Sequence, residues 1–312
     1  MRVSLRPGAK RILLRAEKRL QPTRQRGPAV LSYGCHGRDG KRLARSTLKP
    51  SRENLAAAVW AAISLFVAAP AYAATACPDH FALGREPELV NPKLAVETVA
   101  LCFIGYGVLH SGQTRTPLWS AEHLTVATLR EAEQTPRRNR FHAKAGLERG
   151  QRAEIADYVR SGYDRGHMSP SGDMPGAEAQ GESFSLANVV PQAPRLNRGL
   201  WEGIECAVRT LARRDGEIYV VTGPAFTGGE LQSLQGRVLI PTSTWKAIFD
   251  PRQNAAGVYL AANTDDAQAQ SISVAQLRAL TGIDPFPGLP EDMKQRRMPL
   301  PRPTPHGRGG HQ

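Results

Sequence analysis

One long amphipathic segment sits among runs too apolar to lie on a half-solvated sheet, and that arrangement limits what the chain can fold into. Leu196, Leu200, Ile204, Val208 and Leu211 recur at helical spacing and define a single apolar stripe. Asn197, Trp201, Glu205 and Arg209 recur every four residues on the neighbouring face. Around this helix stand "FSLANVVPQ" (184–192), "EIYVVTGPAF" (217–226), "RVLIPTSTWKAIFD" (237–250) and "AAGVYLAAN" (255–263), which read as buried strands. A further strand is expected around Leu94–Tyr106, followed by "TPLWSAEHLT", and a further helix over Val274–Leu280. The polar, basic stretch 130–146 reads as a loop. Residues 75–293 are therefore expected to form one mixed α/β domain of α+β class. The Pro-rich, basic 294–312 is expected to be a disordered tail.

The formal charge of +13 lies almost wholly outside that domain. Residues 1–53 hold fifteen of the 41 Lys+Arg and three of the 28 acids, which leaves +1 for the rest of the chain. Attraction to phosphate must therefore come from local clusters. The segment 54–74 contains the uncharged run "LAAAVWAAISLFVAAPAYAA" with Ala71-Tyr72-Ala73 near its end, the pattern of a secretory leader cut after Ala73 or Ala74. A membrane anchor is the alternative for a run of this length. A leader lies close to a start site, so translation is expected to begin nearer Leu43 or Leu48 and 1–53 is read as a basic extension. Export implies a periplasmic or secreted product in an oxidising compartment, with no anchor after cleavage. There Cys77 and Cys102 fall early in the mature chain and can pair, while Cys206 lies in the helix as a buried thiol. No C-x-x-C spacing suggests zinc.

Chemistry concentrates in "YDRGHMSPSGDM" (163–174), a Gly- and Pro-rich turn region carrying Asp164, Arg165 and His167. Hydrolysis of a phosphodiester requires an activated water, charge stabilisation at phosphorus and help for the leaving oxygen. Histidine suits proton abstraction near neutrality. A hard cation held by oxygen ligands stabilises phosphate charge and keeps several waters, so one amide oxygen suffices as a direct protein ligand. Guanidinium groups match phosphate in bidentate fashion.

Asp164-Arg165-Gly166-His167, then Asn188 in "LANVVPQ", then "LNRGLWEGIECAVR", resembles the DNA/RNA non-specific endonuclease family. The intervals carry the match: 21 residues from His167 to Asn188, 30 to Asn197, and 8 from Asn197 to Glu205. The resemblance covers most of the mature chain and implies a ββα-metal motif around a central antiparallel sheet. It also implies roles. His167 would be the general base, and Asn197 would hold Mg²⁺, with Mn²⁺ as a substitute. Glu205 would reach the cation's hydration shell, and Arg209 and Arg165 would face the phosphate. An upstream arginine four residues before an aromatic maps to Arg137 ahead of Phe141, with Arg138 and Arg140 as rivals. Asp164 and Asn188 would support the site.

The plainer readings are Asn197 as a helix N-cap, Asn188 as a tie between strand backbones, Glu205–Arg209 as a surface helix pair, and Trp201 as packing. Lys144 and Leu277 stand where the family commonly has acids. The expected activity is cleavage of DNA and RNA to 5′-phosphate products, and many relatives dimerise, which leaves a homodimer open. The alternatives are a lapsed, purely nucleic-acid-binding protein and a phosphodiesterase of the same fold restricted to DNA.

Overall fold

In the computed structural model, residues 77–304 are described. The basic extension, the leader and the last eight residues of the expected tail lie outside them. The strands of the main sheet, with the two strands of a separate hairpin, are β1 (Thr98–Cys102), β2 (Gly107–Ser111), β3 (Thr116–Thr125), β4 (Asp164–His167), β5 (Val189–Gln192), β6 (Glu217–Ala225), β7 (Ser243–Asp250), β8 (Ala255–Ala262) and β9 (Gln270–Ile272). The longer helices are α1 (Val126–Glu133), α2 (Gly176–Ser183), α3 (Glu202–Asp215) and α4 (Val274–Thr281). Seven strands form one antiparallel sheet in the order β9-β8-β7-β6-β3-β2-β1, and β4 pairs only with β5. The α+β expectation, with a hairpin-plus-helix motif beside a central antiparallel sheet, is what the chain adopts.

The sheet is buried on both faces, so its central strands are apolar at successive positions. On one face, Trp119, Val221, Ala247 and Phe249 pack with Val274 and Leu277 of α4. On the other, Val220, Ile218 and Ile248 pack with Trp201, Ile204, Val208 and Leu211. α1 starts on a capping box: the Thr125 hydroxyl accepts from the Thr128 amide at 3.1 Å, and the Thr128 hydroxyl accepts from the Thr125 amide at 3.0 Å. Its last turn, Arg130–Glu133, takes the opening of the stretch expected as a loop.

Three expectations need correction. The single strand over 94–106 is instead a 3-10 turn (Pro92–Ala95), β1 and then β2. No Cys77–Cys102 disulfide is formed. Cys102 is exposed at the end of edge strand β1 with its sulfur 3.9 Å from the Phe103 carbonyl, while Cys77 is buried in the core beside Phe81. The tail is ordered through its first residues. Lys294 is buried against Asp284 at 2.7 Å, the Met298 amide donates to the Ala256 carbonyl at 2.9 Å, and the Tyr259 hydroxyl donates to the Pro301 carbonyl. Met298 belongs to the core, an apolar anchor that the surrounding Pro and Arg residues disguise.

Candidate active site

The hairpin β4–β5 sets Asp164 opposite Gln192, Arg165 opposite Pro191 and His167 opposite Val189. Gly166 makes this pairing possible. A Cβ there would lie 2.2 Å from the Gln192 amide oxygen and 2.7 Å from its Cβ. Gly166→Ala should therefore cost about 2 kcal/mol of stability in denaturant unfolding; a variant as stable as wild type would show that Gln192 moves aside freely.

His167 ends β4 buried, with its ring centroid 5.1 Å from Phe141 and 5.0 Å from Phe184. Its Nε2 has no hydrogen-bond partner among the described residues. Burial, reinforced by the positive charges of Arg137 and Arg165, pushes the imidazole down to about 3 from 6.5. It is therefore neutral across the ordinary pH range. Because the folded value lies below the unfolded one, the folded state is favoured fully above pH 6.5 and loses stability as pH falls towards 3. Between pH 7 and 4.5 the wild type should lose roughly 2–3 kcal/mol more than His167→Gln in paired urea melts, and equal losses would place the imidazole in water.

Asn188 anchors the turn that follows His167. It is fully buried, and its Oδ1 accepts from the Ser169 amide at 3.0 Å and the Ser120 hydroxyl at 3.0 Å. Its Nδ2 donates to the Ser169 carbonyl at 2.8 Å and the Ser183 carbonyl at 3.0 Å. Every polar position of the amide is used structurally, which is the backbone-tie reading.

The helix entering α3 opens with a π-turn, Leu196–Trp201, a geometry that recurs at functional sites. The wider turn breaks the expected four-residue face. Trp201 rotates into the core and is fully buried, while Asn197 stays half-buried beside β4. Asn197 does not cap the helix. Its Nδ2 donates to Asp164 Oδ2 at 3.0 Å, and Arg198 grips both oxygens of the same carboxylate, with Nε at 2.7 Å. A carboxylate accepts only the NH₂ end of the amide, so the Asn197 carbonyl oxygen is the end left for a cation.

Arg137, Arg140, Arg165 and Arg198 line a cleft of about 570 Å³ together with Asp164 and Asn197. The Arg165 guanidinium lies 4.4 Å from the Phe141 ring centroid, and that of Arg137 5.8 Å from Phe184. Of the rival upstream arginines, Arg137 and Arg140 reach the cleft, whereas the Arg138 amide donates to Gln180. Arg209 departs from expectation. Its guanidinium donates at 2.7 Å to buried Asp173 and at 3.1 Å to the Cys206 sulfur, and it is not among the cleft-lining side chains. Desolvation opposes its charge, but the carboxylates of Asp173 and Glu205 prevail and hold the guanidinium firmly protonated. Glu205, half-buried two turns beyond Asn197, is pushed up to about 7 by burial, opposed by Lys246 and Arg209.

Among the described residues, no three His, Cys, Asp or Glu side chains gather as a metal cage. The donors present in the cleft are oxygens: the Asn197 amide, with Asp164 as the flanking acid. That set fits a hard cation that keeps most of its water. Lys144 and Leu277, the departures from the family pattern, lie elsewhere: Lys144 is 4.8 Å from the Phe103 ring centroid, and Leu277 packs on the far face of the sheet. Sequence reasoning passed over Phe184, Arg198, Asp173, Glu122 and Lys246. For Glu122 and Lys246 a signal existed, since each is a charged residue in the interior of a strand.

Residues 88–292 match the DNA/RNA non-specific endonuclease family. The chain is 31% identical over 222 residues to a nuclease of Nostoc sp., which covers 66% of this chain and 79% of that protein. It is 33% identical over 204 residues to the mitochondrial nuclease EXOG of Danio rerio, covering 58% of this chain and 59% of the relative. Among solved structures, an EndoG in complex with EndoGI superposes with a TM-score of 0.57 at 24% identity, over 62% of this chain and 88% of that one.

Proposed function

Because this chain belongs to the DNA/RNA non-specific endonuclease family, we propose that it is an exported, metal-dependent enzyme cutting DNA and RNA backbones with little regard to sequence. The observation that carries the reading is a neutral, buried imidazole with an unpartnered Nε2, set beside an arginine-lined cleft that also presents Asn197. Phosphate contacts carry little sequence information, and the cleft offers guanidinium groups suited to phosphate.

In this mechanism His167 Nε2 takes a proton from water as its oxygen bonds to phosphorus in line with the departing 3′-oxygen. The P–O3′ bond breaks and leaves the phosphate on the 5′ side. Arg165 and Arg137 hold the phosphate oxygens and keep the imidazole from protonating beforehand. Asp164 orients Asn197, and Arg198 orients Asp164. Mg²⁺, or Mn²⁺ in its place, held by Asn197 with Glu205 in reach of its waters, would supply positive charge to the phosphate and the leaving oxygen. Arg209 acts at one remove, bracing Glu205 from Asp173 rather than touching substrate. Export rests on the leader-like segment 54–74; among the described residues no helix is long and apolar enough to cross a membrane.

The test is digestion of supercoiled plasmid, single-stranded DNA and RNA by the purified protein, with Mg²⁺ and with EDTA. Cleavage of all three with metal and of none with chelator is expected. Binding without cleavage in Mg²⁺ and in Mn²⁺ would overturn the reading in favour of a binding protein, and cleavage of DNA alone would narrow it.

A further inference from the structure

Lys246 stands in the middle of β7, between Trp245 and Ala247, with no exposed surface. Its ammonium meets four separate parts of the molecule. It donates at 2.7 Å to the Thr222 hydroxyl on β6 and at 3.2 Å to the carbonyl of Met168, the residue directly after His167. It lies 5.9 Å from the ring centroid of Trp201, the last residue of the π-turn that begins beside Asn197. Glu122 on β3 is equally buried, with Oε1 at 3.9 Å; burial and the Asp173 carboxylate push this carboxyl well above the usual range, and the Lys246 charge opposes them. Neither carboxylate oxygen of Glu122 has a hydrogen-bond partner among the described residues.

An ion pair in such a place is a poor source of stability, because both groups give up water and apolar residues of the same volume would serve the fold as well. What apolar residues cannot do is hold a carbonyl and an aromatic face on one charge. The Met168 carbonyl belongs to the turn leaving the hairpin, and the Trp201 ring to the turn entering α3. His167 immediately precedes the first of these turns, and Asn197 lies within the second.

We propose that Lys246 is a positioning residue for the catalytic pair: its ammonium, beside Glu122, holds the turn after His167 and the π-turn that contains Asn197 against the central sheet and so sets the separation of His167 and Asn197. The proposal rests on the nuclease reading above. Misplacement of reacting groups by about 1 Å costs on the order of 10²-fold in rate, so a device of this kind acts on kcat rather than on substrate binding.

The experiment separates positioning from stability by removing both charges together. Lys246→Met alone would leave Glu122 buried without a counter-charge, so it is combined with Glu122→Gln, which keeps both volumes. Wild type and double variant are compared as full chains by thermal melting and by kcat and KM on plasmid in Mg²⁺. The expected result is a melting temperature and KM close to wild type with kcat at least ~10-fold lower. A double variant that melts like wild type and keeps wild-type kcat overturns the proposal. Should the double variant not fold, Thr222→Val decides, since it removes only one of the groups holding the ammonium. A kcat about 3-fold lower at unchanged KM supports positioning, and an unchanged kcat overturns it. Wild-type protein that fails to cut would overturn the nuclease reading itself, a result distinguishable from either.

Discussion

His167→Ala is expected to lower kcat/KM for plasmid cleavage by at least ~10²-fold. Burial, with the charges of Arg137 and Arg165, favours the neutral imidazole, the form in which Nε2 can accept a proton. Among the described residues, His142, exposed on the upstream loop, turns its Nδ1 away to the Arg140 carbonyl at 3.1 Å. The substitution leaves a space between the Phe141 and Phe184 rings, and added imidazole should occupy it and restore part of the rate. Initial rates with and without imidazole, on protein shown to unfold cooperatively, make the check. A variant retaining a tenth or more of wild-type activity would remove His167 from the mechanism.

Asn197→Ala is expected to reduce both activity and cation binding. The substitution deletes the amide oxygen proposed as the direct ligand, which the bond from Nδ2 to Asp164 holds in place. Mn²⁺ affinity, followed by its electron paramagnetic resonance signal, should fall at least ~10-fold, and the rate ~10²-fold. Asp164→Asn should produce the same pattern more weakly, because it acts on the ligand's orientation rather than on the ligand. Unchanged Mn²⁺ affinity in Asn197→Ala would move the cation elsewhere in the cleft.

The sheet was legible because burial on both faces makes its strands continuously apolar, and β6, β7 and β8 fall where "EIYVVTGPAF", the latter part of "RVLIPTSTWKAIFD" and "AAGVYLAAN" place them. The helix expected over Val274–Leu280 is α4, which starts on Ser273, whose hydroxyl accepts from the Gln276 amide at 3.2 Å. The site's residues were legible as an ordered set of intervals; Asp164, Arg165 and Asn197 line one cleft, and His167 ends the same strand, buried behind it. What stayed hidden has identifiable physical causes. Helical periodicity assumes 3.6 residues per turn, so a π-turn cannot appear in it, and Trp201 was assigned to the wrong face. Ion pairs join residues distant in sequence, so nothing in "LNRGLWE" announces that Arg198 closes on Asp164 or that Arg209 turns to Asp173. Proline and arginine dominate the end of the chain and mask the single buried methionine that orders it.

A π-turn amounts to one surplus residue wound into a helix. Removing a single position between Leu196 and Trp201 would return the segment to α geometry and swing the residues before it by about 100°, while leaving α3 and every strand in register. Asn197 would then leave Asp164, and Leu196, buried in the core at the start of the same turn, would shift with it. The register of this one turn therefore couples the placement of Asn197 to the packing of the core beneath it.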